Sequence, residues 1–188
     1  MRLVEKKVMV FGKEATAELM EFDKQDRKKW KTLFDLWVNL KMGMREYQAR
    51  EPNMLEGISE VAFCLYSGSH RLIGLKGNGV SSSFDTFNVE NNKAEQIKAC
   101  SVMPDLTSFG PKSVWDDLYF LDFYNNGKLD GTFNVYKIPN DLIFGHKVNA
   151  LQTFKEQQEE KRRPRFSIYS DIIVAKDIKP LDTDIKVW

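Results

Sequence analysis

Two short strand-like segments separated by an Asn-Asn turn constrain the fold of this chain more than any other feature of its sequence. Residues 83–89 and 94–102 mix polar residues with apolar ones, and each has the length of a single strand. Between them, residues 91–93 are Asn-Asn-Lys, and asparagine tolerates the backbone conformations that tight turns need. The two segments therefore predict an antiparallel β-hairpin.

The predicted hairpin brings three polar side chains together. Successive side chains of a strand point to opposite faces, so Gln96 and Lys98 should share one face while Ile97 points to the other. Asp85 lies at the start of the preceding strand, where the hairpin would place it beside Gln96 and Lys98. A carboxylate, an amide and an ammonium group then converge, which is typical of a metal-dependent nuclease site.

Length and charge limit the classes of protein to which the chain can belong. At 188 residues it is long enough to bury a full core without disulfides, and we expect a single endonuclease domain over residues 1–188. Lys and Arg number 28 against 27 Asp and Glu, which leaves a net charge of +1. Any nucleic-acid surface must therefore be a local patch.

The cysteines and the hydropathy pattern indicate a cytoplasmic protein. Cys64 and Cys100 lie in apolar runs, which is typical of buried, reduced thiols rather than of disulfides in a secreted protein. Together with His70 and His146 they lack the spacing of a structural zinc site. The sequence has no signal-peptide core and no run of about 18 apolar residues, so neither secretion nor a membrane span is indicated.

The rest of the sequence predicts helices on both sides of this hairpin and a second hairpin after it. The second hairpin is indicated by aromatic and β-branched strands around an Asn-Gly and an Asp-Gly pair. In order, we predict strand 3–11, helices 14–41 and 55–65, strands 71–75, 83–89 and 94–102, helix 113–118, strands 119–124 and 132–138, a helical turn at 139–144 and a polar helix at 152–160. The fold class is α/β (α+β), a mixed central β-sheet flanked by helices.

This order of elements resembles the PD-(D/E)xK nuclease superfamily. Asp85 corresponds to the acid of that motif and Gln96-Ile97-Lys98 to its closing triplet, with glutamine in place of the usual carboxylate. The blocks EGISEVAFCL, 98–143 and FKEQQEEKRRPRFSI are similar to the small type II restriction endonucleases that cleave GCNGC. The resemblance implies a restriction-endonuclease-like core and a homodimer that cleaves double-stranded DNA with Mg²⁺. A cognate DNA methyltransferase would then protect the host genome.

Each residue of the motif has a chemical role in this interpretation. Asp85 would be the primary Mg²⁺ ligand, joined by the Ile97 carbonyl, because Mg²⁺ prefers oxygen ligands and binds through one or two carboxylates. Lys98 would orient the attacking water, and Gln96 would ligate or hold water through its amide. Because one acid binds metal weakly, we expect Glu60 on the preceding helix to complete the site.

Two further acids, Glu56 and Glu95, lie near the motif. Glu56 lies one helical turn before Glu60 and is the second choice for the additional acid. Both glutamates could instead be acids that favour the start of a helix. Glu95 should point away from Gln96 unless the register of the strands shifts by one residue.

Candidate DNA contacts fall in two segments. The basic run after the last predicted helix contains Arg162, Arg163 and Arg165, and arginine is suited to phosphate and to guanine edges. The same run could be a solvated helix end whose cations complement the dipole. Ser82 and Ser83, close to Asp85, could donate to phosphates or could mark a polar strand entry.

Two other functions fit the same residues. A structure-directed nuclease of the superfamily, such as a junction resolvase or a repair nuclease, would cut branched DNA without base preference. A non-catalytic DNA-binding module could keep the fold with a decayed metal site, since Gln96 stands where a carboxylate is common. The first would give no discrete fragments from a plasmid, and the second would not hydrolyse DNA at all.

Overall fold

The computed structural model describes residues 1–188 and is built on an eight-stranded mixed sheet. Its strands occur in the order β1-β2-β3-β4-β5-β7-β8-β10, and all neighbours are antiparallel except β5 and β7. The strands are β1 Arg2–Val10, β2 Lys13–Glu21, β3 His70–Lys76, β4 Thr86–Asn88, β5 Lys93–Cys100, β6 Thr107–Ser108, β7 Asp117–Asp122, β8 Phe133–Ile138, β9 Arg165–Phe166 and β10 Asp182–Ile185. Strands β6 and β9 form a separate two-stranded pair.

Helices cover both faces of this sheet. The helices are α1 Asp26–Glu46, α2 Glu56–Ser67, α3 Asn140–Phe144 and α4 Phe154–Glu159, with a π-helix at Tyr169–Val174. None of them is long and apolar enough to cross a membrane. Helix α2 ends at Gly68, whose φ of 80° is left-handed and whose N–H donates to the Cys64 carbonyl at 2.9 Å.

Strand β7 shows how the two halves of the core meet. Tyr119 and Leu121 point toward α1 and α2, where they pack with Trp30, Phe34 and Phe123. The alternate residues Leu118 and Phe120 point to the other face, which holds Phe109, Trp115, Phe154 and Phe166. A strand that is apolar on both faces is expected next to a parallel neighbour in the middle of a sheet.

The structure confirms the predicted fold class and most of the predicted elements. A mixed central sheet flanked by helices is present, and helix 55–65, strands 71–75 and 94–102 and the 119–138 hairpin lie where the sequence places them. The strand predicted over 83–89 is shorter, Thr86–Asn88, because the chain before Asp85 is a loop. The helical turn at 139–144 and the polar helix at 152–160 also form, as α3 and α4.

Two predicted helices are wrong. The expected helix 14–41 is instead strand β2 followed by α1, because Ala15, Ala17 and Leu19 are buried at every second position, which is strand periodicity. Helix α1 begins only at Asp26, has its buried residues at helical spacing from Asp26 to Lys41, and continues to Glu46. The expected helix 113–118 is a turn leading into β7, where Asp116 donates its N–H to the Ala94 carbonyl at 2.8 Å.

Candidate active site

The site lies where strand β4 leaves the sheet. The β4–β5 ladder consists of the pairs Thr86–Glu95, Phe87–Ala94 and Asn88–Lys93. The Asp85 backbone still bridges the neighbouring strands, since its N–H donates to Glu95 and its carbonyl accepts from Leu72, both at 3.0 Å. Before Asp85 the chain runs through a loop, so the second half of β5 has an open edge on this side.

The Asp85 carboxylate occupies that open edge. It accepts hydrogen bonds from the backbone N–H of Ile97 at 2.8 Å and from the side-chain amide of Gln96. The side chain thus replaces the ladder bond that a longer β4 would make. Because the N–H and C=O of one strand residue point to the same side, the Ile97 carbonyl faces the same edge, where no backbone N–H bonds to it.

Burial raises the pKa of Asp85 from 3.8 to about 7. The Lys98 ammonium and the Ile97 N–H favour the ionised form, while the charges of Glu60 and Glu56 oppose it. A carboxyl that titrates near neutrality beside like charges is characteristic of functional sites. A bound cation would also stabilise the ionised form of Asp85, because it would offset the negative charges of the neighbouring acids.

Lys98 lies further along β5 and lines a cleft of about 330 Å³. Its ammonium is 5.3 Å from the centre of the Phe109 ring, and it makes no ion pair or hydrogen bond within the chain. Asp85, Gln96 and Lys98 therefore follow one another along the open edge, with Asp85 and Gln96 in direct contact. The predicted alternation of β5 agrees with these contacts, because Ile97 packs among the apolar residues of α1 and α2.

Glu60 is close to this edge but has a partner of its own. Its buried carboxylate pairs with the Arg71 guanidinium of β3 at 2.5 Å. Burial is the main cause of the raised pKa of Asp85, and the negative charge of Glu60 adds to it. Glu56, one turn earlier, lines the cleft that contains Lys98, whereas Glu60 does not.

Glu95 points away from Gln96, as the alternation predicts. Its carboxylate accepts a hydrogen bond from Thr86 Oγ1 at 2.8 Å, across the ladder on the opposite side of the strand. Burial raises the pKa of Glu95 to about 6. The hydrogen bond from Thr86 offsets part of that rise.

The predicted DNA contacts occupy three different settings. Ser83 binds its own chain, since its Oγ donates to the Lys112 carbonyl at 3.3 Å and accepts from Val114 N–H at 3.0 Å, while Ser82 is exposed. Arg162 pairs with Glu160 at 3.0 Å. Arg163 and Arg165 are exposed and make no ion pair, and Arg165 lines the cleft beside Lys98.

One cation of the cleft, Arg50, has no counterpart in the sequence-based predictions. Arg50 precedes α2 and lines the cleft with Lys98 and Arg165. In the sequence it is an isolated arginine in a connecting segment, far from the catalytic motif. Only the folding of the α1–α2 connection brings it to the site, so no local pattern could have identified it.

The donors at the edge suit a small, hard cation. No cluster of three or more His, Cys, Asp or Glu side chains that could hold a metal occurs in the structure. One carboxylate of Asp85, the free carbonyl of Ile97 and the amide oxygen of Gln96 are oxygen donors of the kind that Mg²⁺ takes together with water and phosphate. A soft thiolate or imidazole site is not built here.

A mixed sheet flanked by helices, with an acid, an amide and a lysine at its open edge, is consistent with a nuclease of the restriction-endonuclease class. The model of the Bsp6I restriction endonuclease family matches residues 22–175. The type II restriction enzyme Bsp6I of Bacillus sp. (strain RFL6) is 31% identical over 169 residues, which cover 87% of this chain and 91% of that protein. The chain therefore belongs to the Bsp6I restriction endonuclease family and is a type II restriction endonuclease. No solved structure matches it.

Proposed function

We propose that residues 1–188 form one Mg²⁺-dependent endonuclease domain of the PD-(D/E)xK type, acting in the cytoplasm as a homodimer on double-stranded DNA at GCNGC. The observation that carries the catalytic part is the contact of the Asp85 carboxylate with Gln96 and with the Ile97 N–H at the open edge of β5. The site preference rests on the resemblance of the sequence blocks to GCNGC-cleaving enzymes. A cognate DNA methyltransferase would protect the host's own sites.

Asp85 and the Ile97 carbonyl hold the metal in this proposal, and Gln96 orients the Asp85 carboxylate by donating to it. Bound Mg²⁺ supplies charge stabilisation at the phosphoryl oxygens and lowers the pKa of water. Lys98 orients the attacking water and opposes the charge that builds on the phosphate. Water adds to phosphorus and gives up a proton to solvent, the bond from phosphorus to the 3′-oxygen breaks, and that oxygen takes up a proton from solvent.

Glu60 is the second acid of the site. Its charge already reaches Asp85, and its pairing with Arg71 fixes its carboxylate beside the edge. Glu56 is the alternative, because it lines the cleft with Lys98. The two assignments make different predictions, since removal of the true ligand should lower Mg²⁺ affinity while removal of the other should not.

Ser82, Ser83, Arg162, Arg163 and Arg165 are the proposed DNA contacts. Arginines bind phosphate and guanine bidentately, and phosphate contacts fix the register of a protein on DNA. Arg165 has the most direct support, because it is unpaired and adjacent to Lys98 in the same cleft. Ser83 would act through the loop that it fastens rather than as a free donor.

The proposed dimer uses the outer side of α1. Leu33, Leu36 and Leu40 are 50%, 61% and 57% exposed and repeat at helical spacing along that helix. An apolar stripe on a helix is typical of an interaction surface. A second copy suits it because one site of this kind cuts one strand, and a two-fold protein matches a palindromic target.

A plasmid digest tests the function. We expect discrete fragments with Mg²⁺, none with EDTA, and none from Asp85→Ala, with ends that read out the recognition site. A smear without defined ends would favour a structure-directed nuclease. No hydrolysis by a folded protein over a range of salt and Mg²⁺ would favour a binding module and contradict the proposal.

A further inference from the structure

The cleft beside Lys98 contains three cations that form no ion pair within the chain, although the charge of Lys98 favours the ionised form of Asp85. Arg50, Lys98 and Arg165 all line it, and none of their side chains makes an ion pair or a hydrogen bond within the structure. Cations on a protein surface usually find an acidic partner or project into solvent. Three that converge on one cleft point to an anion.

The two acids in the cleft, Asp105 and Glu56, form no ion pair with these cations. Asp105 is buried and accepts hydrogen bonds from within the chain: Thr107 Oγ1 at 3.0 Å, the Ile168 N–H at 3.0 Å, the Tyr169 N–H at 3.1 Å and the Ser167 hydroxyl. Its carboxylate therefore fixes the start of the π-helix. Glu56 is exposed and lies at the first turn of α2.

Arg50 is held at the cleft by its neighbours. Glu51 pairs with the buried Lys41 at 3.0 Å and with Arg45 at 2.6 Å, and these groups hold the pKa of Glu51 at about 2. The Trp37 indole N–H donates to the Asn53 carbonyl at 3.1 Å. Because the segment is fastened to α1 after Arg50, little backbone entropy remains to be lost there when an anion binds.

Arg165 and Lys98 are fixed by the same aromatic core. Arg165 pairs with Ser108 in the β6–β9 ladder, and the next residue, Phe166, stacks on Phe109 with ring centres 5.8 Å apart. Lys98 lies over the other partner of that stack, Phe109. The backbone positions of Arg165 and Lys98 are therefore set by rigid elements.

We infer that this cleft binds a second DNA phosphate, next to the one that is hydrolysed. Lys98 faces the reacting phosphate on its Asp85 side, and Arg50 and Arg165 clamp the adjoining phosphate of the same strand. The planar guanidinium of arginine suits a phosphodiester better than the ammonium of lysine does, because it can donate two parallel hydrogen bonds. The inference rests on the proposed function, since the identity of the ligand as DNA follows from the catalytic site beside it.

Duplex binding in EDTA tests the clamp without requiring cleavage. Arg50→Gln and Arg165→Gln should each lower affinity about three- to tenfold and reduce the slope of log K against log salt by about 1. Lys155→Gln is the control, because Lys155 is an exposed cation without a partner that does not line the cleft. Its slope should stay closer to that of the wild type, and Arg50→Lys should recover part of the lost affinity.

The outcomes separate the clamp from the enzyme. Equal slopes for Arg50→Gln, Arg165→Gln and Lys155→Gln would overturn the clamp, even if plasmid cleavage by the wild type is normal. A reduced slope for the two cleft variants alone supports it, even if no cleavage is seen and the catalytic proposal fails. Arg50→Gln and Arg165→Gln should unfold at the melting temperature of the wild type, because neither arginine side chain has a partner in the chain.

Discussion

The Arg71 guanidinium lies 2.5 Å from the Glu60 carboxylate and is the only cation paired with that buried acid. The pair joins β3 to α2 beside the open edge of β5. Arg71 is about one-third exposed, so solvent reaches one partner while the other is enclosed. When no other cation is near, Arg71 alone therefore stabilises the buried charge of Glu60.

Arg71→Gln should destabilise the metal-free protein by about 1–3 kcal/mol, because it leaves the buried Glu60 charge without its partner. Urea unfolding in EDTA measures this. Adding Glu60→Gln to Arg71→Gln should recover most of the loss, since the unpaired charge is then absent. Additive losses in the double variant would show that the ion pair is not the cause.

The same variant tests Glu60 as a metal ligand. If Glu60 binds Mg²⁺, the metal should raise the melting temperature of Arg71→Gln more than that of the wild type, because it replaces the missing cation. Glu56→Gln is the matched control, since it removes an acid one turn away that has no ion pair. An equal Mg²⁺ shift in wild type and Arg71→Gln would assign the second acid to Glu56 or to neither.

Mg²⁺ binding should depend on pH around neutrality. The pKa of Asp85 is about 7 in the fold, and its protonated form cannot ligate a cation. Lowering the pH from 8 to 6 takes Asp85 from mostly ionised to mostly protonated, so the affinity for Mg²⁺ should fall about tenfold. Calorimetric titration with Mg²⁺ at several pH values checks this, and an affinity that stays constant from pH 6 to 8 would contradict it.

Asp85→Asn should abolish cleavage while stabilising the metal-free protein. A carboxyl whose pKa rises from 3.8 to about 7 on folding favours the folded state fully below pH 3.8, and this contribution is lost as the pH rises through 7. The amide variant does not suffer that loss. We expect it to be about 1–3 kcal/mol more stable at pH 8, allowing for solvent access to the half-buried carboxylate, and equal to the wild type near pH 3.

The hydrogen bond from the Gln96 side-chain amide to the Asp85 carboxylate is a contact that the sequence alone predicts. A hairpin with a fixed turn sets which residues face each other, so the Asp85–Gln96 contact followed from the spacing alone. The partner of Glu60 did not, because Arg71 reaches it only through the packing of α2 on β3. Arg50 was missed for the same reason, as its place depends on Glu51 and Lys41.

The N-terminal region shows the opposite limit. Glu14 to Phe22 can be read with helical or strand periodicity, since apolar residues occur at spacings that suit both. The segment forms a strand because all nine residues of β2 pair with the nine residues of β1. The strand conformation also depends on tertiary structure, because β2 pairs with β3, which is distant in sequence.

Leu36→Lys should convert the proposed dimer into a monomer. Leu36 is the most exposed of the three leucines on the outer side of α1, so a charge there costs little in the monomer but is enclosed in a two-fold interface. Analytical ultracentrifugation should show half the mass with unchanged circular dichroism. Because each copy carries one Asp85 site, the monomer should nick plasmid before it linearises it. Leu181→Lys provides a control at a leucine that is 58% exposed and lies away from α1, and an unchanged mass for Leu36→Lys would place the interface elsewhere.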